Sequence, residues 1–350
     1  MKTIADISNF PGERCDPFVI AEIGVNHDGD PDRAVELVDH AAEAGADAIK
    51  VQWFKAAQLV SRSATLASYQ LESGEEDVVS MLERLELDAD AMNRVIRRAR
   101  HHGLLAVATV FSAELVPDAT ELDWDLFKTA SPDIINRPLL EALAGTGRPL
   151  ILSTGGSTLA EITEALGWIE TSQCALLHCV SSYPTPPEQA ALGGIRALGD
   201  RFHLPIGYSD HTPGWETGGL AVACGATILE KHLTWDVQAR GPDHATSLSP
   251  ELFGRYVRFA RSSARMIGST DKKVLPIEIG VRDNARQSIA AVRDLAIGDR
   301  LEPGDLTTMR PGHGMKPSAL PELYGREVVR PIERGDLILP EHLLPLEACT

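Results

Sequence analysis

The chain has 350 residues, and its 33 Lys+Arg against 50 Asp+Glu give a formal charge of −17. A net field of that sign repels phosphate polymers and anionic bilayers, which argues against nucleic acid or a membrane surface as partner. No apolar run reaches the roughly 18 residues of a membrane span, and 43% hydrophobic with 24% charged residues is the balance of a globular protein.

Met1–Phe10 holds Asp6 and no apolar core, so it does not read as a signal peptide. The five cysteines (Cys15, Cys174, Cys179, Cys224, Cys349) include no CxxC pair. Plain thiols in a reduced, cytoplasmic protein are expected.

From Phe18 onward, eight short apolar runs predict strands. They are Phe18–Val25, Ala48–Phe54, Leu104–Phe111, Leu126–Ser131, Pro149–Thr154, Cys174–Val180, Pro205–Ser209 and Thr227–Leu233. Helical patterns separate most of them. Asp30-Pro31-Asp32 predicts a helix start, with Asp30 as cap and Pro31 at the first position. Ala34, Val35, Leu37, Val38, Ala41 and Ala42 then form one apolar face, and Gly45 stops the helix. Thr158-Leu159-Ala160-Glu161 is a capping box for another helix. Eight strand–helix units in about 250 residues predict an α/β fold, a (β/α)8 TIM barrel over residues 1–268. A doubly wound sheet is the competing topology. Lys55–Ala89 is too long for a simple connection and reads as a lid or rim element.

Beyond Gly268 the texture changes. Residues 269–284 are polar and linker-like, and residues 285–350 are turn-rich and β-like. This tail repeats itself. Leu295 to Leu306 matches Ile332 to Leu343, each with a Gly-Asp turn (Gly298-Asp299, Gly335-Asp336) and a following proline (Pro303, Pro340). Two such halves predict a small pseudo-symmetric β domain.

The active site of such a barrel lies at the C-terminal ends of its strands. Polar residues interrupt the apolar runs there: Glu22, Lys50, Gln52, Lys128, Ser131, Ser153, Ser181, Tyr183, Ser209, His211, Glu230 and His232. Alternation puts Lys50 and Gln52 on one face, and Glu230 and His232 on another. Any one of them has a plain reading as a strand-end residue that reaches solvent or pairs with a neighbour. Their recurrence on seven of the eight predicted strands points instead to a shared pocket, because burying so many polar groups is costly unless they serve each other or a ligand. His211 and His232 end strands 7 and 8 and can hold one divalent ion with open positions. Lys50, Lys128, Ser153 and the Gly155-Gly156 turn before a capped helix make a small-anion pocket. It is not a Walker loop.

Together these segments resemble the sialic acid synthase family, which condenses phosphoenolpyruvate with amino sugars and includes spore coat polysaccharide biosynthesis protein E-type members. The matching stretches are AEIGVNHDGD (Ala21–Asp30), GADAIKVQ (Gly45–Gln52), FKTAS (Phe127–Ser131), LSTGGS (Leu152–Ser157), LLHCVSSYPTP (Leu176–Pro186), IGYSDHTPG (Ile206–Gly214), ILEKHLT (Ile228–Thr234) and GPDHATSLSP (Gly241–Pro250). The tail resembles the family's antifreeze-like (SAF, β-clip) domain through ARQSIAA (Ala285–Ala291) and MRPGHGM (Met309–Met315).

The resemblance implies condensation of phosphoenolpyruvate with an N-acetylated aldehyde sugar, N-acetylmannosamine or a relative, to a nine-carbon 2-keto sugar acid plus phosphate. It implies His211 and His232 as ligands of a divalent metal, Mn2+ first, with Mg2+ and Co2+ as alternatives. It implies Lys50, Gln52, Lys128, Ser131, Ser153 and Ser209 as phosphoenolpyruvate contacts, and Tyr183 and Asp243 as sugar contacts. Glu22 or Asp133 would handle a proton or orient water. Arg310 would be delivered by the tail to the neighbouring subunit in a domain-swapped homodimer. The chain departs from the family at Ser131-Pro132-Asp133, at Ser181 and at Trp53-Phe54, positions that face the sugar and bear on which acceptor is taken. Two other readings fit the residues: another metal-dependent aldolase or phosphoenolpyruvate-condensing barrel enzyme, and a non-catalytic carbohydrate-binding protein.

Overall fold

The computed structural model describes residues 16–345 except 62, 67–69, 72–74 and 270. Cys15, Cys349 and the segment Met1–Phe10 lie outside these. The chain divides into two compact units, Met1–Gly268 and Ser269–Thr350.

The first unit is a closed barrel of eight parallel strands in chain order. They are β1 (Phe18–Glu22), β2 (Ala48–Trp53), β3 (Leu105–Val110), β4 (Leu126–Lys128), β5 (Leu150–Ser153), β6 (Cys174–Cys179), β7 (Ile206–Asp210) and β8 (Ile228–His232). Closure, with β1 paired to both β2 and β8, excludes the doubly wound alternative. Each strand is shorter than its apolar run except β7, which is shifted by one residue to end at Asp210. β1 ends where the Gly24 N–H turns to the Glu22 carboxylate, 2.7 Å away.

Alternation along the strands divides the core in two. Outward residues such as Val19, Ile49, Ala106, Phe127, Leu152 and Leu229 join the helices in one large apolar layer. Inward residues fill the lower barrel: Phe18, Ile20, Ala48, Leu105, Val107, Leu126, Ile151, Ala175, Leu177 and Ile228. At Gly207 a side chain has no room, since a Cβ would sit 2.3 Å from Ile228 O and 2.4 Å from Leu177 Cδ2.

The helices begin where their capping residues dictate. Asp30 accepts from the amides of Asp32 and Arg33 and starts the helix Pro31–Glu43. Its buried face is Ala34, Leu37, Val38 and Ala41, with Val35 and Ala42 only half-buried. Gly45 closes it with φ +88°. Thr158 and Glu161 form the reciprocal capping box of Leu159–Gly167. No described helix is long and apolar enough to cross a membrane. Cys174, Cys179 and Cys224 are free thiols.

In the second unit β9 (Ser288–Ala291) pairs antiparallel with β10 (Leu306–Met309). The sequence repeat is realised in the backbone. Gly298 and Gly335 both have φ +92°, and Pro303 and Pro340 both open a 3-10 turn. The two halves meet at a bridge between Leu295 and Ile332. The expected polar linker is not irregular throughout. It carries a 3-10 turn at Pro276–Glu278 and a helix at Ile279–Ala285. Asp283 O in that helix accepts from Gly312 N at 2.9 Å, so the segment is fixed by backbone hydrogen bonds rather than by an apolar face that periodicity would reveal.

Candidate active site

Above the apolar floor, the next inward position on every strand is polar or a thiol. These are Glu22, Lys50, Thr109, Lys128, Ser153, Cys179, Ser209 and Glu230, one per strand and all buried. Register brings them to one level: Glu22 pairs with Lys50, Thr109 with Lys128, and Ser209 with both Cys179 and Glu230. A cavity of about 350 Å³ opens over this layer.

Four charges form its centre. The Lys50 ammonium contacts the Glu22 carboxylate and donates to Thr109 Oγ1 at 3.0 Å. Lys128 Nζ lies 3.3 Å from Glu230 Oε1, and Lys50 Nζ 4.0 Å from Glu230 Oε2. Ser209 Oγ donates to Glu230 Oε1 at 3.0 Å. Burial works against the Glu230 carboxylate, but Lys128 and Lys50 outweigh it and hold its pKa below the ordinary range. Burial pulls Lys50 down to about 7, with Glu230 opposing. Buried ion pairs contribute little net stability once desolvation is counted, so this network is better explained by a ligand than by folding.

The two histidines stand at one side of the cavity with ring centroids 5.5 Å apart. His211 Nδ1 donates to Val180 O at 3.0 Å, which leaves the lone pair on Nε2. Burial holds His232 well below its ordinary pKa, and therefore neutral. Its Nδ1 is buried without a hydrogen-bond partner, 3.6 Å from Asp243 Oδ2. Burial lowers the His211 pKa, but Cys179 and the Val180 carbonyl outweigh it and raise it, so His211 offers its Nε2 lone pair once a cation displaces that proton; with that, the two imidazoles fit a divalent ion. No cluster of three or more His, Cys, Asp or Glu suited to a metal occurs among the described residues. The other coordination positions would fall to water and substrate. Tyr183 packs its ring 4.2 Å from that of His211. Burial raises the Asp243 carboxyl to about 6.

Beside Cys179, whose Sγ lies 3.6 Å from His211 Nδ1, Ser131 Oγ donates to Ser153 Oγ at 2.9 Å and accepts from Gly155 N at 3.1 Å. A Cβ on Gly155 would meet Ser181 Oγ at 2.4 Å and Ser131 Oγ at 2.8 Å. The glycine therefore permits three serine hydroxyls to converge with a backbone amide, a neutral cradle for an anion. The remaining wall is apolar. It comes from the long segment after β2, whose helices Ala56–Leu59 and Val78–Leu85 face the cavity.

A model of the NeuB family matches residues 37–272, and one of the SAF domain matches residues 286–344. The chain belongs to the NeuB family. It is similar to the N,N'-diacetyllegionaminic acid synthase of Legionella pneumophila, 36% identical over 93% of this chain and 94% of that one. It is similar to the human N-acetylneuraminate-9-phosphate synthase, 33% identical over 93% and 92%. Among solved structures, the sialic acid synthetase of Leptospira borgpetersenii in complex with citrate matches with a TM-score of 0.70 at 33% identity, over 76% of this chain and 90% of that one. This NeuB-family chain is an enzyme of the sialic acid synthase type, a parallel barrel with a C-terminal SAF domain.

Of the residues singled out from sequence, Glu22, Lys50, Gln52, Lys128, Ser131, Ser153, Ser181, Tyr183, Ser209, His211, His232 and Asp243 all line the one cavity. Asp133 does not. β4 ends at Lys128 and a 3-10 turn, Ser131–Ile135, follows. Ser131 and Pro132 line the cavity there and Asp133 falls outside the lining. Its Oδ2 is buried without a hydrogen-bond partner, and burial raises the carboxyl to about 6. Arg310 belongs to the second unit, is exposed, and directly follows β10. Thr109 was missed as a site residue, and Glu230 was placed in the shared pocket without a role. Glu230 had a signal, since alternation sets it on the same face as His232. Thr109 had none beyond being polar in an apolar strand.

Proposed function

We propose that this NeuB-family enzyme condenses phosphoenolpyruvate with an N-acylated aldehyde amino sugar, giving a nine-carbon 2-keto sugar acid and phosphate. The observation that supports it most is one cavity holding Lys50, Lys128 and the serine–amide cradle together with the imidazoles of His211 and His232. The cradle and the lysines suit a small polyanion, and the histidines border the same cavity, where they can meet an aldehyde oxygen.

His211 and His232 would hold a divalent cation, Mn2+ first, which when bound supplies Lewis acidity for the aldehyde oxygen. The chain's own residues then position and transfer. Lys50 and Lys128 fix the phosphate and carboxylate of phosphoenolpyruvate, so that C3 faces the aldehyde carbon. A C3–C bond forms, the aldehyde oxygen gains a proton, and C2 becomes cationic. Glu22 and Glu230 stabilise that charge and orient water toward C2. The water oxygen becomes the keto oxygen as the C2–O bond to phosphate breaks and phosphate leaves. Asp243 and Tyr183 hold the sugar beside the histidines. Asp133, outside the lining, has no direct step.

The same proposal includes a cytoplasmic homodimer in which Arg310 of one copy serves the cavity of the other. The test is phosphate release from phosphoenolpyruvate with amino-sugar aldehydes and Mn2+, with the product identified by mass. A mass equal to sugar plus phosphoenolpyruvate plus water minus phosphate supports it. Phosphoenolpyruvate left intact with every aldehyde refutes it.

A further inference from the structure

His232 ends β8, and Asp243, in the connection that follows, brings Oδ2 to 3.6 Å from His232 Nδ1. β8 stops before that connection, so strand pairing does not set the spacing. The turn after β1 reaches both residues. Asn26 is 1% exposed, and its Nδ2 donates to Leu233 O at 2.9 Å and to Ser247 Oγ at 2.8 Å. Leu233 directly follows His232. Ser247 Oγ donates onward to Asp243 O at 2.6 Å, where Thr246 Oγ1 also donates at 3.0 Å. Both ends of this chain of hydrogen bonds are carbonyls, which only accept, so the direction of each proton in it is fixed. One side-chain amide thus spans the residue after the histidine and the hydroxyl that holds the aspartate's backbone.

Joining the two loops does not itself require Asn26. Two residues on, Asp28 Oδ1 lies 2.9 Å from His244 Nε2, and His244 Nδ1 lies 2.6 Å from Thr234 Oγ1. That second bridge already ties the turn to the connection. Asn26 also carries a cost, because its Oδ1 is buried without a hydrogen-bond partner, which an apolar side chain of the same size would avoid. What the amide alone supplies is two donors in one rigid plane.

We infer that Asn26 is a positioning residue, whose amide sets the sugar contact Asp243 against the metal ligand His232. This rests on the condensation reading above. The amide touches neither substrate nor metal. It acts through Leu233 O on the histidine and through Ser247 on the aspartate, and these two arms can be cut separately.

The experiment takes full-length Asn26→Ala and Ser247→Ala with phosphoenolpyruvate, Mn2+ and N-acetylmannosamine, or whichever amino-sugar aldehyde releases more phosphate. Asn26→Ala should raise the acceptor KM about tenfold and weaken Mn2+ binding, read by calorimetry, by a similar factor. Its KM for phosphoenolpyruvate should stay close to wild type. Ser247→Ala removes the arm to Asp243 and leaves the arm to Leu233. It should raise the acceptor KM while Mn2+ binds as in the wild type. On an Asp243→Ala background it should change the acceptor KM no further, because it acts through that residue. An unmoved acceptor KM in the folded variants, equal losses of Mn2+ in both, or an additive loss with Asp243→Ala would overturn the inference. Should Asn26→Ala not fold, Ser247→Ala alone and with Asp243→Ala decides it. If no aldehyde releases phosphate with the wild type, the condensation reading fails separately, and Mn2+ calorimetry of the two variants then decides. Weaker binding in Asn26→Ala alone upholds the bridge. Equal binding throughout, weaker binding in both, or a wild type that binds none refutes it.

Discussion

Lys231 and Asp210 form a fully enclosed ion pair, 3.2 Å apart, on the outer face of the barrel behind the two histidines. Lys231 precedes His232 and Asp210 precedes His211, so the pair turns outward where the imidazoles turn inward. The pair also grips the turn after His211. Lys231 donates to Thr212 O, and Asp210 accepts from Thr212 N at 2.8 Å and Thr212 Oγ1 at 2.7 Å. The Tyr256 ring covers the ammonium, with Nζ 5.9 Å from its centroid. The positions of both imidazoles thus depend on one buried charge pair.

Removing one member of that pair leaves an uncompensated buried charge. Lys231→Met and Asp210→Asn are each expected to destabilise the protein by about 3–5 kcal/mol, whereas the double change should recover much of the loss. Urea unfolding of the two singles and the double measures this. Additive losses would show that the two residues act independently.

The histidine pair predicts a bound metal directly. His211→Ala and His232→Ala should each lose Mn2+ binding, read by calorimetry or by the spectrum of free Mn2+, while keeping the wild-type circular dichroism. Activity should fall with the metal, and chelator should abolish it in the wild type until Mn2+ is restored. Stoichiometric Mn2+ on both folded variants would place the ion elsewhere.

Why the sequence revealed some of this and not the rest follows from where each signal resides. Strand alternation is local, so Lys50 and Gln52 could be placed on one face, and Glu230 and His232 likewise, from spacing alone. Asp133 could not, because β4 stops at Lys128 and the period of 2 ends with it. The wall formed by Val78, Met81 and Leu85 was invisible for a different reason. Its helix is amphipathic in plain sight, but what its apolar side covers depends on how a long connection folds back over the barrel. The polar layer was legible as recurrence on seven of the eight strands, and its pairing was not. Lys128 meets Glu230 across the barrel interior, between strands that are not neighbours, and no local spacing reveals that contact.

Arg310 carries the dimer proposal to a test. Arg310→Ala and His211→Ala should each be impaired alone. Mixed under subunit exchange, random pairing makes up to about half the dimers mixed, each with one intact site, so activity should return to about a quarter of wild type. Verified exchange without recovery would mean that Arg310 acts within its own subunit or not at all.

Lys50 links charge, binding and pH in opposite senses. Burial holds its pKa at about 7 against an ordinary 10.5. A phosphoenolpyruvate anion needs the ammonium, so kcat/KM for phosphoenolpyruvate, which reports the free enzyme, should be level below about pH 7 and fall above it. Stability moves the other way. The unfolded lysine keeps its proton up to about 10.5 while the folded one releases it near 7. The unfolded state therefore binds more protons between those values, and this group's contribution to stability rises with pH across that window, its full penalty being present below pH 7. Lys50→Ala should lose at least about 30-fold in kcat/KM for phosphoenolpyruvate, since one partner of a buried charge contact typically carries 2–5 kcal/mol. Lys50→Arg, whose guanidinium stays charged, should remove the alkaline limb from whatever activity remains. A limb near pH 7 that persists in Lys50→Arg would assign the titration to another group, and Cys179, whose thiol lies at about 7, would be the next residue to replace.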